Sequence, residues 1–128
     1  MAEVAVLDTS ALIAVLRGEP GSRLVAPLLE SGLVSSVNLA EVQTKLVLSG
    51  LDDAQAWWHI AELKCQSVPF DDAQARIAGS LVRFTRLYGL ALGDRACLAL
   101  AIERSAVVYT TDRVWKTLNL GIKIEVIR

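Results

Sequence analysis

Four acidic residues stand where a chain of this pattern can use them for chemistry: Asp8, Glu41, Asp94 and Asp112. Asp8 directly follows the apolar run Val4-Ala5-Val6-Leu7, and Asp112 comes just after Ala106-Val107-Val108-Tyr109-Thr110. In a doubly wound sheet the functional crevice lies beyond the carboxyl ends of the strands, where the strand order reverses. If the first strand is central and the fourth lies beside it, these two carboxylates share that crevice. Each acid also has an ordinary use. An Asp before an apolar helical run caps free backbone N–H groups, which applies to Asp8, Asp94 and Asp112. Glu41, inside Asn38-Leu39-Ala40-Glu41-Val42, has the option of simply facing water. Gathered together, carboxylates acquire a different chemistry. At about 5 Å and an effective dielectric near 20, each ionised pair repels by roughly 3 kcal/mol, so several stay ionised together only around a cation. Oxygen donors with no His or Cys beside them suit Mg²⁺, with Mn²⁺ as the substitute.

The elements that must position these acids follow from apolar periodicity and from the residues that interrupt it. Short apolar runs predict strands at residues 4–7, 33–36, 66–70, 106–110 and 123–127. Between them, amphipathic stretches predict helices. Ala11 to Arg17 is closed by Gly18, and Ser22 caps a short helix through Leu29. Leu39 to Leu48 stops at Gly50, and Asp53 opens a helix through Leu63. Asp71 and Asp72 cap a long helix reaching Tyr88, Asp94 caps one through Arg104, and Arg113 to Leu120 is short. Strands separated by helices require crossover connections, which argues for an α/β layer architecture with a mostly parallel sheet.

The chain has 128 residues, 53% hydrophobic and 21% charged, which fits one domain spanning residues 1–128 and excludes disorder. No apolar run is long and charge-free enough to cross a bilayer. The opening segment lacks the basic start and cleavage site of a signal peptide, so a cytoplasmic location is expected. Mean hydropathy is +0.43, high for so small a domain, and predicts apolar surface covered by another chain. The formal charge of −1 argues modestly against a nucleic-acid-binding module, and less against a nuclease whose acids hold cations. Cys65 and Cys97 are isolated, suggest neither a disulfide nor a zinc site, and are expected in the core. Trp57 and Trp58 are adjacent on one helix, so both cannot point into the core.

As a set the four acids are more specific than any one of them. The chain resembles the PIN-domain ribonucleases, in particular the VapC toxins of bacterial and archaeal toxin–antitoxin pairs. The resemblance rests on four blocks in family order: Val6-Leu7-Asp8-Thr9-Ser10-Ala11-Leu12-Ile13, Leu39-Ala40-Glu41-Val42, Leu92-Gly93-Asp94-Arg95-Ala96 with its alanine-rich continuation, and Thr110-Thr111-Asp112 followed by Trp115. It implies a three-layer sandwich with a five-stranded parallel sheet in the order 3-2-1-4-5, flanked by helices. It also implies a toxin endoribonuclease dependent on Mg²⁺, a homodimer, and a small VapB-like antitoxin whose tail lies in the acidic groove. Asp8 and Asp94 are then the principal direct ligands, while Glu41 and Asp112 act through water or hold a second ion. The expected reaction is attack of a metal-activated water on an RNA phosphodiester.

Around these acids, Thr110 is expected to orient a ligand or a water, and Arg95, Arg113 and Lys116 to contact RNA phosphates. The only histidine, His59, is remote from every acid block. Two rival readings are weaker. A phosphatase with an aspartate nucleophile wants a second Asp two residues after the first, where Ser10 stands. A PIN-shaped module that binds RNA or protein without catalysis could lose an acid, and none is missing.

Overall fold

The fold, a computed structural model, is described for residues 3–128. Met1 and Ala2, which open the N-terminal segment read above, lie outside the described residues. Five strands, β1 (Ala5–Leu7), β2 (Leu33–Ser35), β3 (Gln66–Val68), β4 (Val107–Thr110) and β5 (Ile124–Val126), form one sheet in the order β3-β2-β1-β4-β5. Every pairing is parallel, with Val6 opposite both Leu33 and Val108. The expected order 3-2-1-4-5 is therefore the observed one.

Seven helices connect the strands: α1 (Thr9–Arg17), α2 (Ser22–Val25), α3 (Ser36–Leu48), α4 (Asp53–Glu62), α5 (Asp72–Ser80), α6 (Val82–Thr85) and α7 (Leu92–Arg104). Alternation along the strands divides the core in two, because successive side chains leave opposite faces of a sheet. Leu7 and Val34 join the packing of α1, α3 and α4, whereas Val6, Leu33 and Val108 join Leu98, Leu100 and Trp115 on the other face. The run Ala96 to Ala101 on α7 is buried without interruption, as expected of a helix apolar all round.

Several boundaries differ from the sequence reading. Helix α3 begins at Ser36 rather than Leu39, because the Ser35 Oγ caps it by accepting the Val37 N–H. The long helix expected from Asp71 to Tyr88 is broken. It stops at Ser80, resumes as α6 and tightens into a 3₁₀ turn over Arg86–Tyr88. The Gly79-Ser80 pair offers little resistance to such a bend, and the Thr85 hydroxyl donates back to the Leu81 carbonyl. After β4 the helix expected to reach Leu120 is only a 3₁₀ turn, Arg113–Thr117. Trp57 and Trp58 are both about half exposed, and Trp115 is the tryptophan that fills the core. Cys97 is buried and Cys65 partly so, both as free thiols. No helix among the described residues is long and apolar enough to cross a membrane.

The fold sets up its site by placing β1 beside β4. The chain leaves both strands at the same sheet edge, with the Asp8 N–H still donating to the Tyr109 carbonyl. The start of α3 follows β2 on the other side of β1, and the start of α7 packs against α3.

Candidate functional site

Asp8 is the most deeply placed of the four acids, 5% exposed at the junction of β1 and α1. Its Oδ1 caps α1 by accepting the Ala11 N–H at 2.8 Å and also accepts the Ser10 hydroxyl at 2.7 Å. The Thr110 hydroxyl donates to Oδ2 at 2.6 Å. Burial pushes the Asp8 carboxyl up to about 6; the Thr110, Ser10 and Ala11 donors oppose the rise, and Asp94 adds to it. The capping and site readings of Asp8 are thus compatible, since Oδ1 takes up the cap and the Ser10 hydroxyl while Oδ2, which accepts only from Thr110, retains a further lone pair.

Thr110 links Asp8 to Asp112. Fully buried at the end of β4, it donates to Asp8 and accepts the Asp112 N–H at 3.1 Å. Ser10 braces the same corner by accepting the Thr111 N–H. Asp112 is exposed and caps the 3₁₀ turn, its Oδ1 accepting the Val114 N–H.

Glu41 is clamped by one oxygen. Its Oε1 accepts the Thr9 hydroxyl at 2.5 Å and the Asn38 amide at 3.0 Å. Asn38 is buried, and its Nδ2 also lies 3.1 Å from both Thr9 Oγ1 and the Gly93 carbonyl, which ties α1, α3 and α7 together at the carboxylate. A Cβ at Gly93 would overlap the Glu41 carboxylate, so a side chain there would push that carboxylate from its place. Asp94 does not cap α7 as expected. The helix starts at Leu92, and Asp94 sits in its first turn with Oδ2 accepting the Ala91 N–H at 2.9 Å. Burial pushes the Asp94 carboxyl up, opposed by the Ala91 donor, with Glu41 and Asp112 raising it further.

All four acids line one open crevice of about 560 Å³. Beneath it the Cys97 thiol is pushed well above its ordinary range, first by burial and then by Asp8, Asp94 and Glu41. The donor set is entirely oxygen, and its most buried member is the group that most needs a counter-charge to stay ionised. Both properties fit a hard divalent cation. Among the described residues no three acid, His or Cys side chains form a ready-made metal cage, each carboxylate being engaged by its own neighbours instead.

The expected phosphate contacts fare differently. Arg95, Arg113 and Lys116 are not among the side chains lining the crevice. Arg95 turns towards α5 and donates to the Ala78 carbonyl, while Arg113 donates to the Arg128 carbonyl. The cations that do line it are Arg17, Lys45 and Arg128, which the sequence reading missed. Helical spacing was the available signal for two of them. Lys45 is four residues after Glu41, and Arg17 is eight after Thr9, so each shares a helix face with a site residue. Nothing local marked Asn38, whose partners in α1 and α7 are remote in sequence. His59 is exposed beside Trp58 and takes no part in the crevice.

A family profile described as the PIN domain matches residues 5–119. No curated protein matches the chain in sequence. Among solved structures, the chain is similar to DNA-bound VapBC from Salmonella typhimurium, with a TM-score of 0.78, 21% identity, and coverage of 99% of this chain and 100% of that one. It is similar to VapBC-5 from Mycobacterium tuberculosis, a member of the VapBC family of toxin–antitoxin systems, with a TM-score of 0.68, 26% identity, and 99% of each chain covered. VapBC2 from Rickettsia felis, bound to a fragment of its promoter, matches with a TM-score of 0.73 and 19% identity over 98% of this chain and 99% of that one.

Proposed function

Because the chain belongs to the PIN domain family, we propose that it is a metal-dependent endoribonuclease, the toxin of a type II toxin–antitoxin module. One observation supports this above the others. Carboxylates from four separate stretches of chain open into a single crevice, and the most buried of them, Asp8, is costly to ionise without a cation.

Asp8 and Asp94 are assigned as direct ligands of Mg²⁺ or Mn²⁺, with Glu41 and Asp112 acting through water or on a second ion. Bound there, the cation would lower the pKa of a water and offset the negative charge that builds on the attacked phosphate. The protein's own part is positioning. Thr110 and Ser10 hold Asp8 in one orientation, and Thr9 with Asn38 commit one oxygen of Glu41 and leave the other free. Asp112 is anchored through its backbone N–H to Thr110, whose hydroxyl donates to Asp8, so the ends of β1 and β4 are tied together.

The toxin assignment draws on the structural relatives, which include VapBC toxin–antitoxin complexes. A VapB-like antitoxin is the proposed partner, RNA the substrate, a homodimer the proposed assembly and the cytoplasm the location, with one PIN domain occupying the chain. The test is cleavage of RNA with Mg²⁺, with Mn²⁺ and with EDTA, beside Asp8→Asn and Asp94→Asn variants of verified fold. Cleavage that requires the metal and both carboxylates is expected. Cleavage that survives EDTA or either substitution overturns the mechanism, and RNA binding without cleavage assigns the chain as a binding module instead.

A further inference from the structure

The crevice combines two opposite charges in a way that a cation site alone does not explain. Its floor carries the four carboxylates, yet Arg17 and Lys45 line the same space from α1 and α3. These helices pack against each other, so both cations belong to one wall. Thr9, Ile13 and Arg17 recur every four residues along the crevice-facing side of α1. Lys45 stands one turn beyond Glu41 on α3, a rise of about 6 Å. Both side chains belong to exposed residues, and among the described residues neither forms an ion pair. The third lining cation, Arg128, is already committed to Glu19 Oε1 and the Pro20 carbonyl, each at 3.2 Å.

Two uncommitted positive charges beside a site that must attract a divalent cation are counterproductive for metal binding by themselves. They become useful when the ligand is a polyanion long enough to touch both regions, with one phosphate over the acids and its neighbours on the wall. We infer that Arg17 and Lys45 bind the RNA phosphates flanking the cleaved one, so that the strand leaves the acids along the α1–α3 wall. This deepens the endoribonuclease reading and rests on it. Such contacts position the backbone and carry no base preference.

The experiment uses the full chain and a single-stranded oligoribonucleotide that wild type cleaves. KM and kcat are measured across a range of KCl for wild type, Arg17→Gln, Lys45→Gln, the double variant, Lys45→Arg and Lys64→Gln. Affinity for the same RNA is measured separately by fluorescence anisotropy in EDTA, where no metal-dependent step intervenes. Arg17→Gln and Lys45→Gln are each expected to raise KM and Kd by about 5-fold and to reduce the salt slope of log(kcat/KM) by about 0.7, the value for one lost single-strand phosphate contact. The double variant loses more, kcat stays within about twofold because the acids are untouched, and Lys45→Arg and the control Lys64→Gln, an exposed position before β3 and outside the crevice, match wild type. Unchanged KM, Kd and salt slope in a wild type that cleaves RNA overturn the phosphate contacts alone. So does a fall in kcat without those changes. A wild type that neither binds nor cleaves RNA removes the nuclease reading and this inference with it.

Discussion

Replacing Asp8 with Asn should make the protein more stable while abolishing the proposed cleavage. The Asp8 carboxyl is 5% exposed and is pushed from its ordinary 3.8 up to about 6, burial being the largest cause. At about 1.4 kcal/mol per unit, that rise corresponds to about 3 kcal/mol of native-state cost for the ionised form. The sign follows from proton counting. Between pH 3.8 and about 6 the folded protein binds more of this proton than the unfolded chain, so stability falls as pH rises through that window and the full cost persists above it. Asn carries no charge to desolvate and matches the pattern of partners. Its carbonyl can accept from Ala11 and Ser10 while its amide faces Thr110, whose hydroxyl turns towards Ser10 Oγ, 3.4 Å away. Urea denaturation in EDTA from pH 4 to pH 8 should show the variant gaining on wild type across the window and leading by about 1–3 kcal/mol at pH 8. Added Mg²⁺ should stabilise wild type by mass action and leave the variant behind. A difference between the two proteins that stays flat from pH 4 to pH 8 would refute the claim that a buried, desolvated carboxylate forms the centre of the site.

Two further substitutions probe the supports of the acids. Thr110→Val keeps the shape but removes the donor to Asp8 Oδ2 and the acceptor of the Asp112 N–H, and should cost about 2 kcal/mol together with most of the cleavage rate. Thr110→Ser should restore both, and a Val variant equal to wild type in urea midpoint and kcat rules out the positioning role. Gly93→Ala should invert the usual helix rule. Ala in place of Gly ordinarily adds up to about 1 kcal/mol to a helix, but here the methyl overlaps the Glu41 carboxylate, so stability should fall. Its Mn²⁺ affinity by calorimetry should drop by roughly tenfold, the scale seen when groups supporting a ligand are lost; unchanged affinity and stability would show that Glu41 is free to move aside.

Three of the acids stood out in the sequence because they sit at boundaries that local patterns mark, whereas Glu41, inside a helical run, was singled out only by the family resemblance. A run of apolar residues ends and an acid follows at Asp8 and, after two threonines, at Asp112. Short apolar runs and the helix stops at Gly18 and Gly50 marked the order of elements, and the crossover argument led to the parallel sheet. The helix bounds were less legible. That Ser35 both ends a strand and caps a helix depends on its hydroxyl oxygen accepting the Val37 N–H, and the break after Ser80 comes with the Thr85 hydroxyl donating back to the Leu81 carbonyl.

The company the acids keep was decided by tertiary structure. Arg95 adjoins Asp94 in sequence, yet consecutive helical residues diverge by about 100° around the axis, and Arg95 turns to Ala78 while Asp94 faces the crevice. The same divergence governs α4, where Ala56 and Ile60 form the buried stripe and both Trp57 and Trp58 fall outside it. Asn38 meets Gly93 across 55 positions and Thr110 meets Asp8 across 102. Sequence alone therefore determined which residues carry the negative charge and where each enters the fold, since those are properties of short segments. Which hydroxyls, amides and cations surround that charge was settled only when the segments packed, because side-chain direction depends on helix phase and on contacts between residues that no local pattern connects.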